Sequence, residues 1–277
     1  MEKHDLVIVG GSAGGTQAAI CAQKHHQLQD ILVIRREKEV MVPCGIPYIY
    51  GTLGTVEKNI MPDKLLGAAK LKLGEAASVD CKAKTVILRS GEVVGYEKLV
   101  LATGSNPISP RIEGIELENV YLVRKDPDYL YTFADAMNRA RRIVVIGGGF
   151  IGVEFADECR KRGLDVTIVE LLEHCLQLVC PEELCIRAEE VLNERGINLI
   201  TGNAVKSIGG NDRVEFVELD SGERIKCDMV IIGIGVSPNT KLAMEADLEI
   251  GPTRGIKVDE FQRTSDPDVF AVGDCAE

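Results

Sequence analysis

The stretch MVPCGIPYIYG, residues 41–51, sets Cys44 between Pro43 and Gly45, with Tyr48 and Tyr50 close behind. A thiol in such a loop can take part in sulfur exchange or accept electrons, and the reactive form is the thiolate. A cysteine just after a loop and at a helix start faces backbone N–H dipoles that favour the thiolate. Gly45 leaves room for a reacting group beside it. The other reading of Cys44 is a small apolar residue on a loop. Tyr48 and Tyr50 can donate hydrogen bonds to a substrate or pack the loop.

Two glycine clusters offer a second kind of chemistry. Gly147-Gly148-Gly149-Phe150-Ile151-Gly152 is a full G-x-G-x-x-G with an apolar run before it and a helical pattern after it. In that arrangement Gly147 permits the tight turn and Gly149 lets backbone approach a pyrophosphate. Gly152 lets helix and strand pack closely, and the N–H groups at the start of the helix, near Phe150 and Ile151, point at the anion. Glu170 ends the next apolar run, where a carboxylate accepts from ribose hydroxyls and disfavours a 2'-phosphate. Glu154, early in the helix, either lies near a nicotinamide or supports the helix dipole.

The earlier cluster is Gly10-Gly11-Ser12-Ala13-Gly14-Gly15, with Ser12 at the middle glycine position. Arg35, followed by Arg36, stands where the acid belongs, and arginine cannot accept from a ribose. Glu37 can reach back to supply the acceptor, the site can be a weaker one, or the two arginines can form a solvated strand end.

Elements must place these groups. LVIVGGSAGGTQAAICAQ (6–23) and IVVIGGGFIGVEFADECRKRG (143–163) resemble each other, and apolar runs at 31–34 and 166–169 follow them. Each is a strand, tight turn, helix and strand. The duplication predicts an α/β protein with two doubly wound, Rossmann-like domains. KTVILRSGEVVGYEKLVLATGSNP (84–107) and EFVELDSGERIKCDMVIIGIGVSPNT (215–240) each read as a hairpin followed by a buried strand, and VFAVGD near the end reads as one more strand.

This ordered set resembles the pyridine nucleotide-disulfide oxidoreductases, flavoproteins with two dinucleotide sites. The resemblance rests on residues 10–15, Ala102-Thr103-Gly104-Ser105, residues 147–152 with Glu154, Gly233-Ile234-Gly235 before Pro238-Asn239-Thr240, and Val272-Gly273-Asp274. It implies FAD at Gly10, Ser12, Ala13, Gly14, Gly15, Arg35, Pro43, Cys44, Ala76, Ala102, Thr103, Gly104, Gly273 and Asp274, with Asp274 on the ribityl chain. It implies NADH, in preference to NADPH, at Gly147, Gly149, Phe150, Ile151, Gly152, Glu154, Glu170 and Gly235. The implied layout has an FAD domain of residues 1–112 and 243–277 with an NAD domain, 113–242, inserted in it.

No cysteine follows Cys44 until Cys81, so the paired redox disulfide of the glutathione-reductase branch is absent. CGIPY is similar instead to the single-cysteine branch: coenzyme A disulfide and persulfide reductases, NADH oxidases and NADH peroxidases. That likeness implies a catalytic Cys44 cycling between thiolate and a mixed disulfide, persulfide or sulfenic acid. The leading expectation is hydride transfer from NADH through FAD to a small-molecule disulfide, persulfide or polysulfide. An NADH oxidase or peroxidase working through a sulfenic acid, an electron-transfer reductase for a small iron protein, and a non-catalytic redox module are the alternatives. Coenzyme A enzymes of this group place arginines on the first helix; here that face carries Cys21, Gln23, Lys24, His25 and His26.

Composition bounds the rest. A net charge of −11 argues against a nucleic-acid surface. No apolar run nears the ~20 residues of a membrane span. Nine cysteines without a secretory pattern suit a reduced, cytoplasmic protein. Cys175, Cys180 and Cys185 are five apart, beside His174; helical steps of five turn the side chain by ~140°, and with no C-x-x-C pair no metal site is expected. The family resemblance leads one to expect a further helix and a dimer-forming domain after Asp274, hence a homodimer for a longer parent chain and weaker flavin retention here.

Overall fold

The computed structural model describes residues 2–277, which fall into two units. The first runs from the start of the described chain to Pro43 and adds Ile60–Asn106 and Ser237–Glu277. The second joins Cys44–Asn59 to Pro107–Val236. The α/β reading with two Rossmann-like units holds.

In the first unit the strand Glu2–Val9 lies between Ile31–Arg35 and Val93–Leu101, parallel to both. Lys70–Leu73 extends the sheet beyond Ile31–Arg35, also in parallel. The strand Ile31–Arg35 is buried at every position, as a strand covered on both faces must be. The side-chain period of two divides the core between those faces. Leu6, Ile8, Ile31, Val33 and Val100 pack with Ala19 and Ala22 of the helix Ala13–His26. Val7, Val9, Leu32, Ile34, Leu99 and Leu101 pack on the other side with Ala243, Leu248 and Ile256. Each such aliphatic side chain contributes ~1.5–3 kcal/mol by leaving water.

The predicted hairpin and buried strand at 84–107 differ from the structure in one respect. The second hairpin arm and the buried strand are one nine-residue strand, Val93–Leu101. Residues 93–95 pair antiparallel with Thr85–Leu88, whereas residues 99–101 pair parallel with Val269–Ala271 on the same edge. A single strand with two successive partners shows no break in its apolar pattern.

In the second unit five parallel strands run in the order Val120–Leu122, Met229–Ile232, Arg142–Ile146, Asp165–Val169, Asn198–Ile200. The antiparallel strands Val205–Gly209, Phe216–Leu219 and Arg224–Lys226 cover one face, where Ile208, Val217 and Leu219 meet Val144, Ile146 and Val230. The helix Phe150–Lys161 packs on the strands Arg142–Ile146 and Asp165–Val169, burying Phe155 and Ala156. Pro127–Arg139 is a helix capped by Asp126, whose carboxylate accepts from the Tyr129 N–H at 2.8 Å.

In both units the first strand of the βαβ run has its chain-order neighbour on one side and a later strand on the other. This is a topological switch point, where open α/β sheets hold ligands beyond their carboxyl ends. Among the described residues no helix is long and apolar enough to cross a membrane.

Candidate functional site

The first glycine loop leaves the strand Glu2–Val9 at its carboxyl end. Gly10 takes φ +112°, and a methyl there would collide with the Ala102 carbonyl. Gly15 allows no side chain either, because the Gly10 carbonyl fills the space. Gly14 lies against Val272 and Gly273, at 3.3–3.5 Å from a built Cβ. The structure therefore brings Gly10, Gly14, Gly15, Ala102 and Gly273 together, with Ser12 and Ala13 opening the helix. The Ser12 hydroxyl reaches the Met41 carbonyl at 3.5 Å.

Asn239 ties the neighbouring connector. Its amide donates to the Thr103 carbonyl at 3.0 Å, its carbonyl accepts from the Thr103 hydroxyl at 2.6 Å, and its N–H donates to the Gly104 carbonyl at 2.8 Å. Ser105 donates to Asp274 at 2.7 Å. Asn239 and Ser105 have structural roles here that motif reading did not assign. Ala76 opens the strand Ala76–Asp80, three strands away from Glu2–Val9 in the sheet.

The solvated-strand-end reading of Arg35 fails. Arg36 is exposed, but the Arg35 side chain is only 2% exposed. Its guanidinium donates to the Glu37 and Lys38 carbonyls at 2.9 and 2.7 Å and pairs with Asp63 at 2.6 Å. A buried guanidinium must be met by acceptors, and the backbone turning back at 37–38 supplies them. Its stem covers Gly11, 2.7 Å from where a Cβ would stand. The Glu37 carboxylate meets Arg36 at 2.5 Å.

The second loop repeats the geometry with the acid present. Gly147 takes φ +104° against the Gly233 carbonyl, 2.7 Å from a built Cβ, and Gly152 is closed by the Gly147 carbonyl. Around Gly149 a methyl would meet nothing within 4 Å. This open space, at the N-terminus of a twelve-residue helix, fits the approach of a dinucleotide pyrophosphate. Phe150 is exposed at the helix start. The buried Glu170 carboxylate accepts from the Gly148 N–H, and from the Leu172 N–H at 2.8 Å. A carboxylate has about four lone-pair sites, so it keeps acceptor capacity for a ribose. Gly235, at φ +108°, accepts from the Ile108 N–H at 3.0 Å.

Cys44 is exposed, in the middle of a 3-10 turn, Pro43–Gly45. The helix that follows, Ile46–Ile49, is one turn long. The expected helix start is thus present in its shortest form and sums few peptide dipoles. The remaining cysteines are half-buried or buried. Burial pushes the thiols of Cys159, Cys175 and Cys227 up to about 12, far from ionising at neutral pH. Tyr50 is a packing residue: its ring lies 4.5 Å from Phe133 and 5.6 Å from Phe155, and its pKa is raised by burial. Tyr48 is partly exposed.

Tyr48 lines a cavity of about 430 Å³ with Val153, Glu154, Leu184, Val191 and Arg195. Burial, and then the charge of Glu158, hold the Glu154 carboxyl above its usual range. Such a group binds its proton more tightly folded than unfolded. Its contribution therefore favours folding below the ordinary value of 4.5 and is lost as pH rises through the raised value. Glu154→Gln removes that dependence. Melting temperatures taken from about pH 4 to about pH 7 should show the variant gaining on wild type as pH rises; a constant difference would contradict the assignment.

Of the three cysteines spaced by five, only Cys185 lies in the helix Glu182–Glu194. His174 pairs with Glu189 at 3.1 Å. Among the described residues no group of three or more His, Cys, Asp and Glu is arranged to hold a metal.

Known proteins resemble the whole of this arrangement. An NADH oxidase of Methanocaldococcus jannaschii is 33% identical over 98% of this chain, and a CoA-dependent NAD(P)H sulfur oxidoreductase of Pyrococcus furiosus is 34% identical over all of it. The chain spans 63% and 64% of the length of these relatives. The solved NAD-dependent persulfide reductase from A. fulgidus superposes with a TM-score of 0.88 at 30% identity, over 98% of this chain and 53% of that one. The family model described as pyridine nucleotide-disulphide oxidoreductase matches residues 4–277, and the chain belongs to that family.

Proposed function

We propose that this protein is an NADH-dependent flavoprotein reductase whose Cys44 delivers electrons to a small sulfur acceptor: a disulfide, persulfide or polysulfide. The observation that carries the reading is that Cys44 is the one thiol classed as exposed among the described residues, in the turn that precedes the short helix Ile46–Ile49. The sulfur chemistry printed for the Pyrococcus and A. fulgidus relatives supports the same acceptor class.

In this reading the first unit holds FAD on the loop 10–15, with Ala102–Gly104, Gly273 and Asp274, and the second unit holds NADH on the loop 147–152. Bound FAD supplies the two-electron relay between nicotinamide and sulfur. Glu170 orients the adenosine ribose of NADH, and the helix N-terminus at Phe150 faces the pyrophosphate. The Cys44 thiolate attacks one sulfur of the acceptor, the S–S bond breaks, and the leaving thiolate takes a proton. Two electrons and a proton return the mixed disulfide to the Cys44 thiolate and release the second thiol. The sum is NADH, one disulfide and one proton giving NAD⁺ and two thiols. Free thiols throughout the chain fit work in a reducing, cytoplasmic compartment.

The test is an acceptor screen on FAD-reconstituted protein, run without oxygen for each sulfur acceptor and in air with and without them, following NADH absorbance. Oxidation of NADH that requires added polysulfide or disulfide supports the proposal. Oxidation that proceeds with oxygen alone and is unchanged by sulfur acceptors defeats it.

A further inference from the structure

One buried carboxylate lies outside both glycine loops. Glu158 is 1% exposed in the middle of the helix Phe150–Lys161, on the face one turn beyond Glu154. A carboxylate is rarely buried unless it is paired and bonded. Glu158 accepts from the Thr52 N–H at 2.6 Å and from the Thr52 hydroxyl at 3.0 Å, and its charge is met by Lys161 at 2.6 Å. Thr52 is 106 positions away in sequence and belongs to the segment that begins at Cys44. Gly51 lies so close that a Cβ would stand 2.7 Å from the Glu158 carbonyl. Tyr50, one residue earlier, stacks on Phe155 of the same helix. Three consecutive residues, 50 to 52, are thus fitted to one helix, and Glu158 supplies their polar fastening.

We propose that Glu158 is a positioning residue for Cys44: its buried carboxylate latches the Cys44 segment to the helix that opens at the second glycine loop. The proposal rests on Cys44 being the working thiol but is tested without turnover. The helix that presents Glu154 and the nucleotide-facing N–H groups is also the mount for the segment bearing the thiol. One rigid element then fixes both.

The experiment measures, in the full chain, amide hydrogen exchange at Thr52 and the rate of Cys44 alkylation by iodoacetamide, read by peptide mass. Glu158→Ala removes both acceptors of Thr52. Glu158→Gln keeps an acceptor for the Thr52 N–H and offers its amide to the hydroxyl, so it serves as the conservative rescue. Cys159 and Cys227, both buried, label only on unfolding and report that the fold is intact. The expected result is at least ~10-fold faster Thr52 exchange and at least ~3-fold altered Cys44 alkylation in Glu158→Ala, both restored in Glu158→Gln. Smaller changes in either quantity, or failure of Gln to restore them, overturn the proposal. Should Glu158→Ala expose Cys159, Thr52→Val, which loses the hydroxyl bond alone, gives the same readouts with an intermediate shift.

Discussion

Cys44→Ser is expected to lower the proposed NADH-dependent reduction of a disulfide or polysulfide by at least ~10²-fold in kcat, while FAD and NADH affinities stay within about twofold. The expectation follows from what a hydroxyl cannot do. Serine carries the same hydrogen-bonding inventory at similar size, but its hydroxyl neither ionises near neutral pH nor forms the sulfur–sulfur bond on which exchange depends. No other thiol is placed to substitute, since the other eight cysteines are half-buried or buried. Nucleotide binding is spared because oxygen replaces sulfur at similar size, so the FAD contact implied for Cys44 keeps its shape, and both glycine loops are untouched. The assay is steady-state NADH oxidation with each acceptor, alongside flavin fluorescence titration. If Cys44→Ser retained full turnover with a small iron protein as acceptor, the thiol would be idle and electrons would leave the flavin directly.

The parts of this protein written in local patterns are the ones a reader of the sequence can find. Gly147 and Gly10 need left-handed backbone, and Gly15 and Gly152 need the absence of a side chain; both demands appear as glycine at fixed spacing after a β-branched run. The switch points follow from the duplicated βαβ pattern. The setting of Arg35 is less legible, because a cation at a strand end reads as solvated. It is buried because carbonyls at 37 and 38 and the carboxylate of Asp63 converge on it, and only the first two are local. The Glu158–Thr52 contact has no local trace at all. Nothing around Thr52 marks it as a donor to a helix a hundred residues later, so the grouping of residues 44–59 with the second unit emerges only in three dimensions. The helix after Cys44 is short for a related reason. Ile46, Pro47, Ile49 and Tyr50 are all buried, and their packing sets the course of the chain more than helical propensity does.

Glu170→Ala is expected to raise the dissociation constant for NADH ~10–100-fold and to erode the preference for NADH over NADPH. A hydrogen bond to a charged acceptor is worth ~1.5–3 kcal/mol, and the ribose diol offers the carboxylate its donors. On the proposed reading the same carboxylate repels a 2'-phosphate, so its removal is expected to weaken NADH and relieve NADPH together. Fluorescence titration with both nucleotides measures the ratio, which a general loosening of the loop would leave unchanged. Loosening must be considered, because Glu170 already serves the Gly148 and Leu172 amides. Losing that acceptor costs ~1–3 kcal/mol of stability per orphaned N–H group. Glu170→Gln helps to separate the two roles: it keeps one of the two acceptor oxygens, so it should melt between wild type and Glu170→Ala, and it removes the charge. If Gln melts above Ala yet shifts the nucleotide ratio toward NADPH as far as Ala does, the charge selects the cofactor. A lower melting temperature with an unchanged ratio in both variants means that the carboxylate holds the glycine loop and does not read the ribose.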